Sequence, residues 1–189
     1  SWIGLDKEKD FAEHPEWFAE YQGERRPSKP CYSHPAVIRR AIEYGLKRAA
    51  DGARSFSVSA PDGLKYCECE RCRATAQGGK VFYDKQAQYA RRPDGQLVNI
   101  TSETIFNMAN KVAEAVSEKY PDVWIGCMAY SAYAHPPSFP LHPRVFVQLT
   151  TAYRRTPLSG EEQLDTFKKL GMQAGGIYTY YSVFQWDWD

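Results

Sequence analysis

Val123-Trp124-Ile125-Gly126-Cys127-Met128-Ala129-Tyr130 is a nearly continuous apolar run. It reads as a strand buried on both faces, the pattern of a parallel sheet. A helix should precede it, opening near Thr101 or Ser102 with Glu103 in its first turn. Ile105, Phe106, Ala109, Val112, Ala113 and Val116 line that helix's apolar face, and Tyr120-Pro121-Asp122 stops it. The same alternation appears upstream. Residues 35–50 predict a helix, with Pro35 at its first position and Ser33 or His34 as caps. Residues 54–60 then read as a strand, with Phe56, Val58 and Ala60 alternating against Ser55, Ser57 and Ser59.

Downstream, a Pro-rich connection over 131–143 leads to a strand at 144–150. Ser159 with Glu162 forms a capping box for a helix ending at Gly171, followed by a strand at 176–182. Residues 11–22 suggest one or two helical turns, Trp2–Leu5 a fifth strand, and 61–100 a loop-rich region. Interleaved helices and strands imply an α/β fold, either a doubly wound sheet or a (β/α)₈ barrel. No Gly-rich phosphate fingerprint follows any strand, which disfavours the nucleotide-binding sheet. A complete barrel takes eight strands and roughly 250 residues. The expectation is therefore a partial (β/α)₈ TIM-type barrel, completed by the remainder of its own polypeptide.

Composition narrows function by exclusion. The chain has 189 residues, 24 basic and 23 acidic side chains and a formal net charge of +1, which argues against nucleic acid as a partner. No stretch approaches the ~18 consecutive apolar residues of a membrane span. Aromatic residues make up 14%, a proportion that suits either a large core or stacking surfaces.

Of five cysteines, three crowd into Cys67-x-Cys69-x-x-Cys72. Thiolates this close suit one soft cation, most often Zn²⁺ with four ligands. Cys31 lies just before the 35–50 helix and the knuckle just after the 54–60 strand, so both belong to the face where parallel strands end. The expectation is a closed structural zinc site of Cys31, Cys67, Cys69 and Cys72. A disulfide between Cys31 and a knuckle cysteine is the alternative. Cys127, mid-strand, reads as a core residue.

Asp62, in Ala60-Pro61-Asp62-Gly63, directly follows a strand, where barrel enzymes carry catalytic groups. On the residues alone a Pro-Asp-Gly turn, where Asp serves backbone hydrogen bonding, is the favoured account, and the serines of the 54–60 strand shift the balance slightly toward a polar lumen. Glycoside hydrolysis uses two carboxyl groups, and Asp187 is the second candidate if the last segment folds over the strand ends. His14, Tyr130, Tyr180, Trp186 and Arg154 are candidates for contact with a carbohydrate ligand, with aromatic rings to stack on sugar faces and charged groups to hold hydroxyls or a carboxylate.

His14-Pro15-Glu16-Trp17, Cys31-Tyr32-Ser33-His34-Pro35, and Ser57-Val58-Ser59-Ala60-Pro61-Asp62-Gly63 leading into the knuckle resemble, in that order, a bacterial family of unknown function. Phe106-Asn107, Tyr120-Pro121-Asp122 and Ala129-Tyr130 continue the likeness. Its members are glycoside-hydrolase-like barrels distantly similar to α-glucuronidases and hexosaminidases. The resemblance implies an exported protein acting on a complex polysaccharide. The family's Asn-Asp is Pro61-Asp62 here, its Asn stands where His34 does, and its Trp-Asp-Tyr is replaced by Tyr180-Tyr181. About twenty residues around 78–101 are inserted relative to it. A non-catalytic carbohydrate-binding barrel and a zinc-stabilised interaction module are the alternative readings.

Overall fold

A computed structural model describes residues 3–180. In chain order its elements are α1 (Lys9–Glu13), a 3₁₀ turn (Pro15–Trp17), β1 (Phe18–Tyr21), β2 (Glu24–Pro30), α2 (Pro35–Ala50) and β3 (Ser55–Ser57). The knuckle helix α3 (Glu70–Arg73) and a 3₁₀ turn (Ala74–Ala76) follow, then β4 (Lys80–Asp84), β5 (Ala87–Arg91), β6 (Leu97–Asn99) and α4 (Ile100–Ser117). The last elements are β7 (Trp124–Ser131), β8 (Val145–Arg154), α5 (Gly160–Lys169) and β9 (Ala174–Tyr178).

The principal sheet is parallel throughout, in the order β3-β7-β8-β9. Each strand lies beside the one that precedes it in this sheet, so the described strands contain no reversal of direction of the kind that defines a doubly wound sheet. The α/β class holds. Closure into a barrel is not part of the described structure, and Ile3–Leu5 forms no strand of this sheet.

The helices stack on one face. The stripe of α2 (Val37, Ile38, Ala41, Gly45, Ala49) is buried, and the His34 ring caps the helix by accepting from Ala36 N–H at 3.2 Å. Gly45 marks the tightest approach. A Cβ there would stand 2.8 Å from Phe56 of β3 and 3.1 Å from both Val112 and Val116 of α4, so only glycine fits. Helix α4 is capped by Asn99, whose side chain accepts from Ser102 N–H, two to three residues earlier than the sequence suggests. The predicted capping box of Ser159 and Glu162 opens α5.

One expectation about β7 needs correction. Its burial alternates: Ile125, Cys127 and Ala129 face the helices and are buried, whereas Trp124, Gly126, Met128 and Tyr130 are half-buried. Nothing among the described residues covers the second face. Apolar content alone could not reveal this, because Trp and Met are apolar on either side.

Residues 61–100 are also more ordered than expected. They hold an antiparallel meander, β4-β5-β6. The helical turns expected over 11–22 are present up to Trp17, in α1 and the 3₁₀ turn, but from Phe18 the chain enters the hairpin β1-β2. The meander is fastened by a buried ion pair. Arg92 and Glu103, 8% and 4% exposed, meet at 3.1 Å. Arg92 also donates to Thr75 O and to Ser138 Oγ, and Glu103 accepts from Ser138 N–H and Oγ. Four segments thus converge on one charge pair, which satisfies the rule that buried charges be paired and hydrogen-bonded. Glu103→Ala strands a buried guanidinium and should lower stability by ~3–5 kcal/mol in urea melts. The double variant Arg92→Met/Glu103→Leu should recover much of that loss.

Candidate metal centre and strand-end site

Cys31 opens the turn from β2 into α2, and the three knuckle sulfurs come from the segment that leads into and forms α3. Sγ of Cys31 lies 3.8 Å from that of Cys69 and 3.7 Å from that of Cys72. All four sulfurs lie within 4.8 Å of one another, and all four residues are buried. A tetrahedron with ~2.3 Å metal–sulfur bonds has sulfurs ~3.8 Å apart along each edge. Disulfide sulfurs sit at ~2.0 Å, and all five cysteines here are free thiols. The spacing therefore fits a cation held between the sulfurs.

Packed together, the four thiols perturb one another. Hydrogen bonding with Cys31 draws Cys67 and Cys69 below the ordinary thiol range. Cys31, bonded first to Cys67, and Cys72, bonded first to Cys31, are driven far above it. A cation would remove the conflict by deprotonating all four. The surroundings of Cys67 favour negative sulfur: Glu20 N–H donates to its Sγ at 3.3 Å. The Cys72 thiol instead donates to Ser33 Oγ at 3.4 Å. Burial works against the Arg25 guanidinium, but the charge of Cys67, Glu20, Cys69 and Cys31 outweighs it and raises the arginine's pKa. Glu68 is not a fifth ligand. It accepts from Gln22 N–H and the Tyr83 hydroxyl and pairs with Arg73, tying the hairpin and the meander to the knuckle. Cys127 is buried in the sheet, away from this cluster, as expected.

Asp62 follows β3 on the same end of the sheet and is exposed. Its turn is held from below by a residue that sequence reasoning missed. Lys29, 1% exposed, donates from Nζ to Pro61 O at 2.6 Å and to Asp62 O at 2.7 Å, with the Tyr66 ring centroid 4.5 Å away. Desolvation lowers its pKa to about 8, partly offset by the Asp62 charge. No pattern betrays it, since a lysine between prolines in Pro27-Ser28-Lys29-Pro30 reads as surface loop.

Tyrosines surround this turn. Tyr133 donates to Ala60 O, and its ring meets those of Tyr66 and Tyr130 at 5.9 and 6.2 Å. Tyr130's phenol is raised by burial, then by the charge of Asp62 and a hydrogen bond to it. Tyr180 stacks edge-on against Tyr153 and Tyr178 and is pushed up to about 12 by burial, then by Tyr130, Tyr178 and Asp62. Asp62, Tyr130 and Tyr180 thus lie close enough to feel one another's charge. Below them the uncovered sheet face forms a trough of ≈ 500 Å³ whose wall includes Ser55, Ser57, Ser59, Trp124, Met128 and Gln148.

Other candidates lie elsewhere. His14 stacks on Trp17 at 4.1 Å and pairs with Glu16 at 3.3 Å, on the α2 side of the molecule. Arg154 turns toward α5, donating to Gln163 Oε1 at 3.2 Å, so its guanidinium is engaged within the fold. Asp187 and Trp186 fall outside the described residues.

Lys29 gives a pH signature. Its folded pKa near 8 lies below the ~10.4 of an unfolded lysine. Between these values the unfolded chain holds a proton that the folded chain has released, so stability rises with pH. Relative to Lys29→Met, the wild type should gain up to ~3 kcal/mol from pH 8 to 10.4, read from paired urea melts. A flat difference would show that Lys29 titrates normally.

No helix among the described residues is long and apolar enough to cross a membrane. No curated protein and no solved structure matches the chain. The profile of the family described as "Domain of unknown function (DUF4838)" matches residues 3–184, nearly the whole sequence. The chain belongs to the DUF4838 family.

Proposed function

We propose that the chain carries the acid/base and saccharide-contact side of a glycoside-hydrolase-like site, with Asp62 as the proton-transferring group. One observation carries this reading: an exposed carboxyl at the C-terminal end of a parallel sheet, its turn clamped by a buried lysine and beside Tyr130, above a largely apolar trough edged by serines. Barrel chemistry is done at this end of the strands. Asp62 would exchange a proton with the glycosidic oxygen, while Tyr130 and Tyr180 offer ring faces and hydroxyls to the sugar. Retaining and inverting hydrolysis both use a second carboxyl group. Asp187 is the candidate for that role, and the rest of a barrel would come from the same polypeptide.

The four sulfurs, in this proposal, bind Zn²⁺ in a closed structural site. Four protein thiolates leave no open position for substrate or water, so the ion's work is to fix the segment that presents Asp62. Exported, polysaccharide-directed action is the setting the family resemblance suggests. A second reading, a carbohydrate-binding barrel without catalysis, is favoured by one fact: no carboxylate partners Asp62 among the described residues.

Reducing-sugar release from a panel of plant and bacterial polysaccharides tests the first reading. Asp62→Asn should cut hydrolysis by ~10²–10⁴-fold with glycan binding retained. Binding without hydrolysis by the wild type would instead support the second reading, and absence of both would refute the two together. Elemental analysis should find one zinc per chain. Cys69→Ser should reduce that occupancy and lower the thermal midpoint, whereas Cys127→Ser, outside the cluster, should leave the zinc content unchanged.

A further inference from the structure

The outer side of the molecule carries a second hollow, of ≈ 490 Å³, whose wall is drawn from α2, α3 and α4. Arg39, Arg71, Lys111 and Asn107 contribute to it, and no carboxylate does. The chain as a whole is nearly neutral, at +1, so three cations around one concavity are a local excess.

Their lack of partners is selective. On α2, Arg40 approaches Asp10 at 4.0 Å and Glu43 at 3.9 Å, while Arg39, one position round the helix, has no acidic partner among the described residues. On α3, Arg73 pairs with Glu68, while Arg71, two residues away, is unpaired. Lys111 of α4 is likewise unpaired, and the nearest buried acid of that helix, Glu103, is consumed by Arg92. On both α2 and α3, the arginine pointing elsewhere is neutralised and the one lining the hollow is not. The field reaches His34 beside it: burial lowers its pKa first, and Arg71 and Arg39 lower it further, against Glu16.

We propose that this hollow is a binding site for a tetrahedral oxyanion, a sulfate or phosphate ester group, held by Arg39, Arg71 and Lys111 with the Asn107 amide as a neutral donor. Guanidinium forks match the paired oxygens of such groups and form charge-assisted hydrogen bonds to them. A concave wall bearing one sign of charge also concentrates the counter-ion at the site. Of the two hydroxyls nearby, Thr75 donates to Cys72 O, while Ser33 accepts from the Cys72 thiol and keeps its own proton free to donate. The ligand is therefore held chiefly by charge, with the Ser33 hydroxyl as a second neutral donor. This site lies across the helical layer from Asp62, and the proposal stands independently of the glycosidase reading. On a polysaccharide-active protein it would bind the charged substituents of a decorated chain.

The probes are inorganic sulfate and inorganic phosphate in isothermal titration calorimetry, with sodium chloride at matched ionic strength as reference. Saturable binding is expected, weakening as salt rises and falling at least tenfold in Arg71→Gln/Lys111→Gln. Lys47→Gln/Arg48→Gln removes the same charge from the far end of α2 and should leave binding unchanged, as should Asp62→Asn. Heat equal to that of chloride, or equal loss in both charge variants, would overturn the site. Dextran sulfate and glucose 6-phosphate then distinguish the two esters: the one whose binding falls in Arg71→Gln/Lys111→Gln identifies the group, and failure of both would restrict the site to free anions and overturn the ester assignment.

Discussion

Sulfur convergence is the constraint on which the strand-end side of this molecule depends. Cys31 and the three knuckle cysteines are separated by 36 to 41 positions in sequence yet lie within 4.8 Å of one another. They are the centre of a small satellite core whose other members are Ala19, Ala76, Ala90, Val98 and Ile100. Side chains this small bury little apolar area, and at about 25 cal/mol per Å² such a cluster would hold its segments weakly. A metal ion in the middle would supply what size cannot, because metal binding free energy is folding free energy where the site does not exist in the unfolded chain. The hairpin β1-β2, the knuckle and the meander all meet at this cluster.

The main core follows a different logic. Helices α2 and α4 press on one face of the sheet, with Gly45 permitting the closest contact, and the opposite face carries serines, Gln148 and a few large apolar groups. A sheet buried on one side and half-open on the other leaves a concavity along its open face. Lys29 adds a second, electrostatic constraint there. Its ammonium bridges two consecutive carbonyls of the Asp62 turn, so the backbone that carries the carboxylate is held by a buried charge rather than left to loop entropy.

The parallel sheet was legible because its signals are local. Pro35, the stripe of α2, the capping box at Ser159 and the run at 123–130 each specify an element within a few residues. The cysteine cluster was legible because topology places strand ends and helix starts on one face, so Cys31 could be assigned without neighbours in sequence. The meander was not: Val81-Phe82-Tyr83 and Gln88-Tyr89-Ala90 alternate weakly, and what fixes them is Arg92 meeting Glu103 eleven positions on, a tertiary contact with no periodic trace. Lys29 and the unpaired Arg39 and Arg71 escaped for the same reason. Whether a lysine is buried, or which of two adjacent arginines has an acid beside it, is decided by distant parts of the chain.

The sulfur spacing has a further cost. Thiols 3.7–3.8 Å apart need to close by less than two ångströms to form a covalent bond with one another. Met by an oxidant with no cation between them, Cys31 and Cys69 or Cys72 would crosslink, and the four-sulfur cradle would be lost. An ion proposed for this cradle would therefore have to arrive before the oxidant does.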